Sequence, residues 1–249
     1  LNALQHEMDA CSALLRSAGK TLRAVYVGGG TPTALPEKDF SRFMDMLTAA
    51  FPGALEYTVE AGRPDTITAA KLQAIRSAGV SRISINPQTL NEDVLAGIGR
   101  RHSVADFFRA YEMAKKSGIP CINTDLIAGL PGDSFPSFAS TMDKMIELHP
   151  ENITVHTFCV KKAAELTHSG ADIFNRSSDL AVKSVDYSQL MCMKSGYHPY
   201  YLYRQKNMVG NLENVGYCLN GFDGYYNSLI MAEVHSIYAV GAGAVTKLV

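Results

Sequence analysis

The chain has 249 residues, 47% of them hydrophobic and 19% charged, with a formal net charge of -1. That length allows one large domain with a substantial core, and near-neutrality excludes the basic footprint of a nucleic-acid binder. No apolar run approaches the ~18 residues of a membrane helix, and no signal-peptide pattern opens the sequence, so no membrane partner is expected.

Residues 1–18 carry apolar positions at Leu4, Met8, Cys11, Leu14 and Leu15, a helical stripe that Gly19 is placed to stop. Strand-like runs follow at Ala24–Val27 and at 57–60, 82–85, 122–127 and 153–158. Helical patterns lie between them at 39–50, 69–78, 105–117 and 137–148, and Gly53, Gly79 and Gly118 close three of these. Strand then helix, repeating every ~25–40 residues, is the mark of βαβ units in a parallel sheet. The fold class is therefore α/β. The alternation blurs after about Leu166, where a helix near 177–195 leads into an extended run at 200–204 and a Gly/Asn/Tyr-rich stretch.

Polar residues punctuate the strand ends. The glycines of "AVYVGGGTPT" (24–33), Glu60, Gln88 and Asp125 sit at or near the carboxyl ends of successive strands, the edge that holds active sites in α/β barrels and open α/β sheets. Taken singly, each is equally well explained as loop chemistry. Gly28-Gly29-Gly30 fits neither GxGxxG nor a P-loop, and on its own leaves open a phosphate nest or a tight structural turn.

Cys11, Cys121, Cys159, Cys192 and Cys218 are odd in number and far apart, giving neither a disulfide framework nor a CxxC metal pair. They are expected to be buried small apolar residues in a cytoplasmic protein, with no metal ligand among them. His102, His156 and His198 are expected to be loop or core histidines.

Four motifs in order are more specific: "GGGTPT" (28–33), "VEAGRPDT" (59–66), "RISINPQTLNEDVLAGIGRRH" (82–102) and "NTDLIAGLPGDS" (123–134). With the tail "YHPYYLYRQKNMVGNLENVGY" (197–217), the chain resembles the radical S-adenosylmethionine superfamily over roughly residues 20–248. Within it, the resemblance is to the oxygen-independent coproporphyrinogen III oxidase group, nearest the coproporphyrinogen dehydrogenase branch of anaerobic bacteria.

The resemblance implies a partial, open (β/α) barrel of about six parallel strands lacking the first strand of the core. Residues 1–165 would be core, and 166–249 the rest of the core and the start of a substrate-side region. It places Gly28, Gly29, Gly30 and Thr31 against the methionyl end of S-adenosylmethionine and Glu60 close to the cofactor. Gln88 and Asp125 would bond the ribose hydroxyls, and Arg100, with Arg101 beside it, would pair with the methionyl carboxylate. Ile127 and the backbone at Cys159 would line the adenine.

The resemblance also implies a [4Fe–4S] cluster on a CxxxCxxC loop, yet no CxxxCxxC occurs in the chain. The expectation is a longer parent carrying that loop upstream, and a chain that is inactive without it. In the parent, a 5′-deoxyadenosyl radical would abstract hydrogen from a coproporphyrinogen III propionate, leaving a vinyl group, with flavodoxin or ferredoxin as electron donor. Tyr201, Tyr203 and Arg204, among Tyr197, Tyr200, Tyr217, Lys206 and Asn207, would face the tetrapyrrole. The rival for that tail is an edge strand with exposed aromatics. The rivals for the whole are a haem carrier and a phosphate-binding barrel enzyme.

Overall fold

A computed structural model describes residues 1–159, 170–204 and 208–249, with the backbone alone for 170–177. The expected division at 165/166 and the tail residues Lys206 and Asn207 lie outside the described residues. In chain order the elements are α1 (Asn2–Ser17), β1 (Ala24–Val27), α2 (Glu37–Ala50), β2 (Glu56–Glu60), α3 (Ala69–Ser77), β3 (Arg82–Ser84), α4 (Glu92–Gly97) and α5 (Val104–Ser117). They continue as β4 (Cys121–Ala128), α6 (Phe135–Leu148), β5 (Asn152–Thr157), α7 (Gly170–Lys194), β6 (His198–Tyr203), β7 (Asn214–Cys218) and α8 (Tyr225–Ala232). All five expected strands of the first 160 residues are present. No helix among the described residues is long and apolar enough to cross a membrane.

The chain forms two compact units. One comprises Leu1–Ser84, Ala110–Ile122 and Gly224–Val249, the other Ile85–Arg109 and Asn123–Asp223. In the first, β1, β2 and β3 run parallel, with Val25 opposite Tyr57 and Val59 opposite Ile83. Phe40, Phe43, Met44 and Leu47 of α2 recur at helical spacing and are all buried, so one face of that helix joins the core with Met8, Val59, Ile75 and Ile83. The Thr68 side chain caps α3, accepting from Lys71 N, and Gly79, at φ +71°, ends the turn beyond it.

Helix α8 is anchored from a distance. Glu56, buried at the start of β2, accepts from the backbone N–H groups of Tyr225 (2.9 Å) and Tyr226 (3.1 Å), the first turn of α8. A carboxylate there meets the positive end of the helix dipole. Glu56 also forms an ion pair with Arg82 at 3.4 Å.

In the second unit β4 and β5 are parallel, setting Asp125 beside Thr154 and Ile127 beside His156. β7 runs antiparallel to β5, and β6 antiparallel to β7. Thus β6 points the same way as β5, with β7 reversed between them. Gly216 of β7 lies opposite Tyr201, whose ring occupies the place of a β-carbon on that glycine. Phe107, Leu126, Phe138, Met142, Ile153 and Cys192 are buried in this unit. The sequence reading did not anticipate β7, α8 or the short α4, which Asn91 caps by accepting from Asp93 N and Val94 N.

Candidate functional site

In the first unit the three glycines have three different grounds. A β-carbon on Gly28 would overlap the Tyr26 ring and lie 2.9 Å from Glu60 Oε2. Gly29 has φ +100°, which side-chain-bearing residues rarely adopt. Gly30 has a backbone open to side chains and, among the described residues, nothing within 4 Å of its would-be β-carbon. Two glycines therefore serve the turn, and Gly30 borders open space.

The exit from this turn is firmly tied. Thr31 begins a short 3-10 turn at Pro32–Ala34. Thr33 is buried and its Oγ1 lies 2.6 Å from Thr66 Oγ1, while Lys71 Nζ donates to the carbonyls of Thr33 (2.6 Å) and Thr66 (3.1 Å). The motifs "GGGTPT" and "VEAGRPDT" are thereby stitched together. Beside them Tyr26 donates to Glu60 at 3.3 Å and stacks on Tyr226, ring centroids 4.2 Å apart. Burial, and then the charge of Glu60, raise the Tyr226 hydroxyl pKa.

The second unit gathers most of the remaining predicted residues. Gln88 is buried and holds φ +67°, a left-handed backbone on a residue other than glycine. Its N–H donates to Asp125 O and its carbonyl accepts from Ile127 N, both at 3.0 Å. Its side-chain Oε1 is buried without a hydrogen-bond partner among the described residues. Asp125 lies inside β4, and its carboxylate accepts from Asn123 Nδ2 at 2.7 Å and stands 3.6 Å from His156 Nε2. Tyr203 OH is 3.3 Å from the other ring nitrogen of His156.

A cleft of about 260 Å³ opens at His156 and Tyr203, lined also by Ile127, Thr157, Phe158, Cys159 and Asn214; Gln88 and Asp125 are not among its lining residues. Sites that enclose a whole ligand span about 300–1,000 Å³, so this one has the size of a subsite. The two residues expected at the adenine, Ile127 and Cys159, meet here. His156, Phe158 and Asn214 were not anticipated. Period-two spacing puts His156 on one face of β5, but its neighbour on β4 becomes known only with the register.

Tyr201 stacks on Tyr203, centroids 6.2 Å apart and 7° from parallel. Burial is the first cause raising both hydroxyl pKa values, and the Asp125 charge adds to it. Arg204 is half exposed and paired with Glu213 at 3.1 Å. Two other tail tyrosines belong to the core instead: Tyr197, which donates to Pro150 O at 2.6 Å, and Tyr217. Arg100 is half-buried just after α4, where Gly99 turns the chain at φ +72°, and Arg101 is exposed.

Residues 5–145 match the family model described as "Radical SAM superfamily". The chain is 38% identical over 249 residues to the oxygen-independent coproporphyrinogen-III oxidase-like protein HemZ of Bacillus subtilis (strain 168), covering 99% of this chain and 50% of that protein. It is 34% identical over 164 residues to the heme chaperone HemW of the same organism, covering 65% of this chain and 42% of that one. It thus spans about half the length of the curated relatives it matches. The solved structure of the coproporphyrinogen III oxidase HemN from Escherichia coli matches with a TM-score of 0.72 at 23% identity, over 99% of this chain and 56% of that one, which shows a shared fold. The family match covers more than half of the chain and the fold agrees with it: the chain belongs to the radical SAM superfamily.

Proposed function

We propose that this chain holds S-adenosylmethionine for the oxidative decarboxylation of coproporphyrinogen III in its parent protein, an oxidoreductase. A hydrogen atom, carbon dioxide and one electron leave each of the two propionates that react, and a vinyl group remains in its place. The cofactor, when bound, supplies the radical chemistry that begins this. The chain's own residues bind and orient it. Gly30 leaves room at the methionyl end, with Gly28, Gly29 and Thr31 shaping the turn, and Glu60 takes the amino group. Arg100 pairs with the carboxylate. Gln88 and Asp125 receive the ribose hydroxyls, and Ile127 with the backbone of Cys159 flanks the base. Tyr201, Tyr203 and Arg204 face the tetrapyrrole.

Gln88 carries the reading. A buried, unpartnered amide oxygen costs about 1–3 kcal/mol, and a left-handed residue other than glycine adds further strain. A hydroxyl donor arriving at that oxygen offsets the cost. The cluster is a separate matter: CxxxCxxC does not occur in the 249 residues, so the residues present do not fit it, and no step is assigned to it. The reading carries with it a cytoplasmic setting and a flavodoxin- or ferredoxin-type donor.

Haem carriage is the second reading, supported by the similarity to the heme chaperone. Anaerobic incubation of the parent with coproporphyrinogen III, S-adenosylmethionine and a reductant separates the two. Vinyl products are expected by mass spectrometry, with binding of S-adenosylmethionine weakened at least ~10-fold in Gln88→Leu. Haem transfer without vinyl formation would replace the decarboxylase reading with the carrier. No affinity for S-adenosylmethionine would remove the decarboxylase reading, and the absence of both vinyl products and haem transfer would remove both readings.

A further inference from the structure

β6 begins at His198 and β7 ends at Cys218, and the antiparallel register sets these residues opposite each other. The loop after β7 folds back over the same edge. Leu219 N donates to Glu151 O at 3.0 Å, and Asn152 Nδ2 donates to Phe222 O at 3.0 Å. That path delivers Asp223 to His198. Cys218 Sγ and Asp223 Oδ1 each lie 3.3 Å from His198 Nε2, and the three ligand atoms all lie within 4.8 Å of one another.

Two partners converge on one imidazole nitrogen, which has a single site for either a proton or a lone pair. In a nucleophile–base–acid triad the thiol and the carboxylate use different ring nitrogens. This cluster is therefore not built as a relay. Around a tetrahedral zinc ion, ligand bonds of about 2.0–2.3 Å put the donor atoms roughly 3.2–3.8 Å apart, and both 3.3 Å separations fall in that range. We propose that His198, Cys218 and Asp223 form a divalent-cation site of zinc type, with its fourth position open to solvent.

A thiolate and an imidazole select zinc over magnesium or calcium, which prefer oxygen. Cys218 is fully buried, whereas the side chains of His198 and Asp223 are 39% and 55% exposed, so the ion enters past the carboxylate. The site lies at the starts of β5 and β6 (Asn152 and His198), while the cleft at Ile127, His156 and Tyr203 lies toward the ends of the same strands. Five residue steps along β6 lead from His198 to Tyr203, ~16 Å of extended chain. The metal would therefore brace the hairpin against the loop and take no part in chemistry at the cleft. Cys218 is buried, as expected of it, and the proposal adds a ligand's role to that burial.

The test is cobalt substitution in the chelator-stripped full chain. A single cobalt ion per chain, a thiolate-to-cobalt charge-transfer band and a raised melting temperature with zinc are expected. Cys218→Ser should abolish the band, and His198→Gln and Asp223→Asn should each weaken binding at least ~10-fold, the least that even outer partners of a metal site contribute. Cys192→Ser should keep both the band and the affinity. Asp223 is exposed, so Asp223→Asn retains the fold by circular dichroism and guards against misfolding as the cause. No band in the parent, an unchanged band in Cys218→Ser, or equal cobalt affinity for Asp223→Asn and parent would each overturn the site.

Discussion

Alanine substitutions at the three glycines should separate folding from binding, because each glycine is required on different grounds. In Gly28→Ala the new methyl meets the Tyr26 ring and Glu60 Oε2, breaking the stack on Tyr226 or moving the carboxylate. In Gly29→Ala a φ of +100° must be held by a residue with a β-carbon, at a cost of ~1–2 kcal/mol. Gly30→Ala meets nothing within 4 Å among the described residues, and a compatible Gly→Ala change stabilises by about 0.4–1 kcal/mol through the unfolded chain. At about 2–4 °C per kcal/mol for a chain of this length, Gly29→Ala should melt roughly 2–8 °C lower, and Gly30→Ala at or above the parent. Calorimetric titration of the same samples with S-adenosylmethionine gives the second axis. Gly30→Ala should lose at least ~10-fold in affinity while keeping its stability. Parental affinity in Gly30→Ala would show that the open space is not the cofactor's.

Other expectations follow from single side chains. Arg100→Ala should weaken S-adenosylmethionine binding roughly 30-fold or more, whereas the exposed Arg101→Ala should cost ~0–1 kcal/mol; titrations giving the reverse order would put the motif one residue out of register. Glu56→Ala strips the cap from α8 and the partner from Arg82, and should lower stability by ~3–5 kcal/mol in urea titrations. A loss under ~1 kcal/mol would mean that α8 is held by other contacts. Burial pushes the Cys192 thiol from 9.0 up to about 12, so its contribution is complete below pH 9 and falls as pH rises toward 12. Each pH unit in that window removes about 1.4 kcal/mol, and urea midpoints of Cys192→Ala should decline less steeply there than those of the parent.

Local signals made the first five strands and the helices between them legible. Gly53, Gly79 and Gly118 do take the positive φ that helix ends ask for, and α2 buries the face its spacing marks. The cap of α4 was also in plain sight, since Asn91 followed by Glu92 and Asp93 is a helix start, but six residues give too little periodicity to see. The cap of α8 was not, because Glu56 lies about 170 positions upstream. β7 holds Gly216, a poor strand former until the Tyr201 ring covers it from the neighbouring strand. The glycine motif marked a turn but not the separate burdens of its members. Gln88 could be chosen from its motif, whereas its left-handed backbone and unpartnered oxygen belong to the fold.

The reversed strand imposes an order on assembly. β6 is made before β7, but its ladder partner is β7, which itself must lie against β5. A growing chain that has finished Tyr203 has not yet made the strand with which, among the described residues, β6 forms its ladder. The free side of β5 likewise waits for Asn214–Cys218. An uncovered strand edge is where chains mispair. Between synthesis of Thr157 and of Cys218 the side of β5 away from β4 thus stands open to a stranger's strand, and β7 on arrival pairs with β5 on one side and β6 on the other, leaving β6 to carry the edge.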